Sequence, residues 1–136
     1  AEHRPKTTLE TFREQFVALI NKVRSLGSKP IILSLPPIIS DSYFAFFSRS
    51  INTRQRNNIL GWMGGEVEAI ERWHEDYNKT LFSIAGQTNT PILDITHPFG
   101  NYEGGCRSLI CPDGIHPNSE GHRLIAQSII NSLAFA

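Results

Sequence analysis

Apolar residues recur every three or four positions through Leu9, Phe12, Phe16, Leu19, Ile20 and Val23, which lines one face of a helix over Thr7 to Leu26. Thr7 with Glu10 fits a capping box at its start, and Gly27 stands where a helix stops. After Lys29-Pro30 the pattern changes to a continuous aliphatic run, Ile31 to Leu35, closed by Pro36-Pro37, which predicts a buried strand feeding a loop at its carboxyl end. A second three-and-four pattern, Val67, Ile70, His74, Tyr77, Leu81 and Ile84, predicts a helix over Glu66 to Ala85 with Gly86 as its stop. Pro91 to Ile95 then repeats the short aliphatic strand. A last helix over Ser119 to Leu133, capped by Asn118 or Ser119, would turn His122 or Ile125, then Ala126, Ile129 and Leu133, inward. Two helix-strand units in series and a closing helix predict an α/β chain with its strands parallel in one sheet.

Between these elements the pattern is less regular. Ile38 to Gly65 carries Tyr43, Phe44, Phe46 and Phe47 ahead of Arg49, Arg54 and Arg56. Aromatics after the carboxyl end of a strand can line a substrate pocket, because open α/β sheets bind ligands at that edge. The simpler reading, and the favoured one, is a local helix that packs the same four into the core. Thr96 to Ile110 reads as a loop, with His97, Pro98, Gly100, Gly104 and Gly105. His74 sits on the inward stripe of its helix, where an imidazole more often serves as a hydrogen-bonded structural group than as a catalyst.

Composition narrows the function classes. At 136 residues the chain is one domain by length, and its 13 Lys plus Arg balance 13 Asp plus Glu. That balance offers no strong overall field to a nucleic acid or an anionic membrane. The longest apolar stretch, Ile31 to Ile39, is broken by Ser34 and two prolines and is far short of the ~20 residues of a membrane span. Ala1 to Thr8 is polar and no apolar segment of a signal peptide follows; an address could have been removed ahead of Ala1, which leaves the compartment open.

Chemistry concentrates in Cys111-Pro112-Asp113-Gly114-Ile115-His116-Pro117-Asn118. An Asp and a His three residues apart on a Gly-containing turn, at the mouth of a helix, can set a carboxylate beside one imidazole nitrogen and leave the other facing outward. That is the base and orienting acid of a nucleophile-activating triad, without its serine. Asp-Gly and His-Pro-Asn are also ordinary turn and helix-entry sequences. Ser40-Asp41-Ser42 superficially matches a nucleophile block, but Pro36-Pro37 and Ile38-Ile39 separate Ser42 from its strand, where a nucleophilic serine needs a tight turn directly after it. Gly100-Asn101 reads as a turn. Cys106, Cys111, His116 and His122 have loop spacings that tetrahedral zinc accepts, so a small zinc-stabilised domain is a further reading; two free thiols or a local disulfide are the others.

Asp113 to His122 followed by Arg123-Leu124-Ile125-Ala126 resembles the last motif block of the SGNH (GDSL) hydrolases, an esterase and acylhydrolase superfamily. Upstream, Lys29 to Pro37 resembles the family strand of lysine-proline, aliphatics and a proline pair; Tyr77-Asn78 and Ile92 to Ile95 resemble its later helix and the strand ending near an aspartate. The resemblance implies a three-layer α/β/α flavodoxin-like fold with a parallel sheet, of which residues 1–136 are the C-terminal half, a single or partial domain. It implies serine-dependent ester hydrolysis of a small-molecule ester, with His116 as general base, Asp113 as its orienting carboxylate, and no cofactor or metal. The family's Gly-Asp-Ser block, its oxyanion glycine and its Gly-x-Asn-Asp block have no counterpart in this sequence, so the chain alone is expected to be inactive. Its open sheet edge is expected to associate with the absent N-terminal segment or with another copy. A noncatalytic fragment or interaction module, keeping the Asp-His turn only as architecture, is the alternative.

Overall fold

The computed structural model describes residues 5–134. Helix α1 (Leu9–Ser25) starts one residue later than the capping pattern suggests: Thr8, not Thr7, is the N-cap, and its hydroxyl accepts the Thr11 N–H at 3.1 Å. Gly27, at φ 79°, ends the helix, donating to the Arg24 carbonyl at 2.9 Å while Ser28 donates to that of Val23. Phe12, Phe16, Val17 and Ile20 face inward, whereas Leu9 and Leu19 remain exposed.

Strands β1 (Ile32–Leu33) and β2 (Ile92–Leu93) pair in parallel, Ile32 opposite Ile92 and Leu33 opposite Leu93. Further bonds from Ile32 N–H to the Pro91 carbonyl and from Ser34 N–H to that of Leu93 extend the pairing at both ends. The ladder is shorter than the aliphatic runs because side chains take over at the carboxyl ends. Leu35 donates to Asn78 Oδ1 at 2.8 Å, and the buried Ser34 hydroxyl accepts the N–H groups of Ile95 and Thr96 at 2.8 and 3.0 Å. Both strand ends are thereby locked together beneath the loops that follow.

Helix α4 (Ala69–Thr88) packs beside α1 on one face of this pair, with Ile20, Ile32, Leu81, Ile84 and Ala85 buried together. It runs through Gly86 rather than ending there. Asn89 in the left-handed conformation (φ 49°) is the cap, Thr90 N–H returns to the Ala85 carbonyl, and Arg24 of α1 binds the Thr88 carbonyl at 2.9 Å. Those contacts outweigh the ~1 kcal/mol disadvantage of a helical glycine. The other face of the strands is uncovered among the described residues: Ile31 and Leu33 are 49 % and 41 % exposed.

Ile38 to Gly65 contains α2 (Ser40–Phe47), the local helix expected to pack the aromatic cluster into the core, and α3 (Thr53–Trp62), which the apolar spacing did not announce, joined by a 3-10 turn at Ser48–Ser50. α3 is fixed by a full capping box: Asn52 Oδ1 accepts the Gln55 N–H and the Gln55 side chain accepts the Asn52 N–H. Phe44, Met63, Ala69 and Ile70 form the core between α2, α3 and α4. Downstream of β2, Thr96 to Ile110 is helical in two places, α5 (Thr96–Gly100) and a 3-10 turn at Cys106–Leu109. Asp94 Oδ1 starts α5 by accepting the N–H groups of Thr96 and His97. The last helix, α6 (Ser119–Ala134), rests on Leu109 and Ile110 through Leu124 and Ile125, while His122 and Leu133 are exposed. Close approach sets that register: a Cβ on Gly121 would lie 2.4 Å from the Leu109 carbonyl oxygen, so the packed face begins at Gly121 rather than at His122.

Candidate active site

Residues 109–118 form a loop closed by backbone bonds between its two limbs. Ile110 bridges Pro117 in antiparallel fashion, Cys111 N–H donates to the His116 carbonyl at 2.7 Å, and Gly114 N–H returns to the Cys111 carbonyl at 2.9 Å. Asn118 ties the loop to α6 twice, accepting the Glu120 and Gly121 N–H groups on Oδ1 and donating its Nδ2 to the Ser108 carbonyl. Gly114 is required at its position. At φ 80° it lies so close to the start of α2 that a Cβ would sit 2.4 Å from Tyr43 N and 2.6 Å from the Ile39 oxygen. Ile39 N–H donates to the Gly114 carbonyl at 2.8 Å, so the loop and α2 are docked backbone to backbone.

On this platform Asp113 and His116 meet as their spacing predicts. Asp113 Oδ2 lies 2.5 Å from His116 Nδ1, while Oδ1 accepts the N–H groups of Ile115 and His116 at 3.0 and 3.1 Å. The bond from the His116 ring, followed by those two backbone donors, lowers the Asp113 pKa to about 2. The carboxylate is therefore ionised at every physiological pH and holds the proton of the imidazole on Nδ1. Nε2, the other nitrogen, has no partner among the described residues, and the His116 side chain is 71 % exposed. Such an imidazole can take a proton from a hydroxyl brought to its Nε2 side, and the fixed carboxylate stabilises the imidazolium that results.

The other candidates lie elsewhere. Ser42 Oγ accepts from Arg107 Nη1 at 3.0 Å, and the same guanidinium grips both oxygens of Asp41 at 3.1 Å. Ser42 thus belongs to a surface clasp between α2 and the Cys106–Leu109 turn, and Arg107 holds the Asp41 carboxyl below its usual range. Of the four aromatics, Phe44 is buried, with Tyr43 and Phe47 packed around it, and Phe46 lies exposed beneath Arg49 Cζ, 3.9 Å from its ring centroid. The Cys and His set with zinc-like spacing is not gathered: among the described residues no three His, Cys, Asp or Glu side chains converge on a metal position. Cys111 Sγ is directed to the Pro117 carbonyl and the Cys106 thiol lines a separate cleft.

That cleft, of about 250 Å³, opens at the carboxyl end of β1 between Pro37, Ile38 and Ile39 on one side and Glu71, His74 and Asn78 of α4 on the other. Ile39 is shared, touching Gly114 of the Asp-His loop through its backbone. Burial keeps His74 below its ordinary pKa, against the opposing pull of Glu75 and Glu71, and burial followed by Glu71 raises the Cys106 thiol. Both groups are thus uncharged near neutrality. Glu71 and Asn78 were not legible as site residues. Their roles follow from long-range partners: Glu71 Oε1 accepts the Ser40 N–H and Glu71 N–H donates to Ser40 Oγ, while Asn78 joins Leu35 to Thr96.

The sequence pattern of the GDSL-like Lipase/Acylhydrolase family matches residues 3–124. Over 139 aligned positions the chain is also 26 % identical to an uncharacterized lipoprotein, YqeF, of Bacillus subtilis (strain 168), an alignment that takes in 94 % of this chain and 54 % of that protein. The chain thus spans about half the length of this curated relative.

Proposed function

Because the chain belongs to the GDSL-like lipase/acylhydrolase family, we propose that it carries the base-and-acid half of a serine-dependent ester hydrolase. The observation that carries this reading is the 2.5 Å contact between Asp113 Oδ2 and His116 Nδ1, with Nε2 left open to solvent. The Gly-Asp-Ser and Gly-x-Asn-Asp blocks of such hydrolases have no counterpart in these 136 residues. The serine and its oxyanion donors therefore come, on this proposal, from a further segment, in the same polypeptide or in a second one. The parallel pair with helices on one face fits a half of a three-layer α/β/α flavodoxin-like domain, and the uncovered Ile31 and Leu33 are where further strands and helices would add.

In the assembled site the serine Oγ attacks the ester carbonyl as His116 Nε2 accepts its proton. Asp113 keeps the ring oriented and balances the imidazolium. The tetrahedral adduct collapses, the alcohol leaves with the proton from Nε2, and water then repeats the sequence on the acyl-enzyme, returning serine and a carboxylic acid. Each step needs only one mobile proton on His116.

Intact mass spectrometry of the protein from its native source, after treatment with a fluorophosphonate, tests this directly. A species containing this sequence that gains one adduct, with labelling abolished by His116→Ala and strongly reduced by Asp113→Asn, is the expected result. Failure of every such species to label would refute the hydrolase reading, and an adduct on Ser42 would overturn the assignment of the nucleophile to another segment.

A further inference from the structure

The overall charge balance conceals a local segregation. From Ser42 to Gly65 the chain carries Arg49, Arg54 and Arg56 and not a single Asp, Glu or Lys. Among the described residues none of the three is paired with a carboxylate. Arg49 instead stacks on Phe46, and Arg56 lies 5.2 Å from the Phe44 ring centroid. Arginine over an aromatic face keeps its full charge available to an outside anion.

The element bearing these residues is only lightly attached. No residue of α3 is buried; Ile59 and Leu60 are half-buried on the α2 and α4 core, with Met63 just beyond them. The opposite face, with Arg54, Asn58 and Trp62 at four-residue spacing, is turned to solvent. Trp62 is 48 % exposed with its ring 5.5 Å from that of Trp73, and Phe46 is 42 % exposed. Large aromatics standing out of the surface among unpaired arginines suit one kind of environment well, a headgroup layer with anions at its surface and hydrocarbon beneath. A polyanion such as nucleic acid would reward the arginines but leave Trp62 and Phe46 without an apolar partner.

We propose that α3 and the preceding turn form a peripheral docking surface for anionic phospholipid, with Arg49 and Arg54 meeting headgroup phosphates and Trp62 entering the interface, while Arg56 lies on the packed side of α3 over Phe44. No helix of the described residues is long and apolar enough to cross a membrane, so the contact is one of lying on the bilayer. This surface is independent of the Asp113–His116 chemistry, and its test does not involve hydrolysis.

The experiment is co-sedimentation with vesicles of phosphatidylglycerol mixed with phosphatidylcholine, against vesicles of phosphatidylcholine alone, at low ionic strength. Binding to the mixed vesicles only is expected, weakened about fivefold by each of Arg49→Gln and Arg54→Gln, changed less than about twofold by Arg56→Gln, and abolished by high salt. In a Trp73→Phe background the Trp62 emission shifts to the blue and is quenched by brominated acyl chains. Should that background fail to fold, loss of quenching in Trp62→Tyr relative to the wild type gives the same information. No sedimentation with either vesicle overturns the proposal. Equal binding to heparin or polyglutamate, without quenching of Trp62, overturns it in favour of an acidic macromolecule.

Discussion

The loop of residues 109–121 docks at the start of α2 and the arm of residues 48–65 continues from its end, and opposite forces hold them. The loop carries Asp113 and His116 and is fixed by backbone bonds, by Asn118, and by two glycines pressed against neighbouring main chain. The arm rests on the buried Met63 beyond its helix, on the half-buried Ile59 and Leu60, and on its own capping box. Main-chain docking tolerates no added atom, whereas packing by half-buried chains accommodates change. A base that must meet a hydroxyl within hydrogen-bond reach belongs on the first kind of support, and a segment that adapts to a surface belongs on the second.

The sharpest way to test this contrast is Gly114→Ala. The new Cβ collides with Tyr43 N and the Ile39 oxygen at a backbone angle that alanine disfavours, so a loss of about 2–4 kcal/mol, or failure to fold, is expected in denaturant titration. A near-neutral result would mean that the loop is not seated on α2 as described. Next come the two caps. Asn118→Ala and Asn52→Ala each remove a side-chain acceptor from a helix start, at about 1 kcal/mol apiece. Asn118→Ala should lower the global midpoint because it also frees the Ser108 carbonyl. Asn52→Ala should speed amide exchange within α3 and leave the midpoint nearly unchanged. Equal effects of the two on the midpoint would erase the distinction between loop and arm.

How far these regions could be read beforehand follows from the same contrast. The Asp-His pair was legible because its geometry is local: three residues on a turn fix the contact whatever the rest of the chain does. α1, α4 and the parallel strands were legible from periodicity, since their apolar stripes face one shared core. α2 was legible only as one of two readings of its aromatic cluster, and α3 was not, because Ile59, Leu60 and Met63 pack in several directions and α3 buries no full stripe. The end of α4 was misplaced at Gly86 because the bonds that carry it on to Thr88 come from Arg24, more than 60 residues away in sequence. What Glu71, Asn78 and Ser34 do was not legible, since each acts by joining segments that only the fold brings together.

Acid provides a smaller probe of the loop. Asp113 has its pKa depressed to about 2 from a model-compound 3.8, so its bonds to His116, Ile115 and the backbone contribute stability above pH ~4 that is lost as pH falls through 2. A carboxyl NMR titration should find its midpoint near 2, and Asp113→Asn should flatten the stability profile between pH ~4 and ~2. A midpoint near 3.8 would show the carboxylate free in solution and the pair unformed. His74 adds a separate slope at higher pH. Burial lowers its pKa from 6.5, so the unfolded chain binds its proton first and stability falls as pH drops below that value, a dependence that His74→Gln removes.

The smallest effect is the most informative about the arm. Gly61 lies in α3 with nothing within 4 Å of where a Cβ would stand, and its backbone angle is helical, so Gly61→Ala adds no clash. Alanine restricts the unfolded chain more than glycine does, which stabilises the helix by about 0.5–1 kcal/mol. If α3 opens as a local unit, that gain appears as a two- to fivefold slowing of amide exchange between Thr53 and Trp62 while the global midpoint stays fixed. If the arm instead unfolds only with the whole molecule, the same gain raises the midpoint and leaves relative exchange rates within α3 unaltered. The first outcome would describe an arm free to reorganise on contact with a lipid surface while the Asp113–His116 pair beside it stays in register. The second would make loop and arm one cooperative body, with any movement on docking transmitted through Ile39 to His116.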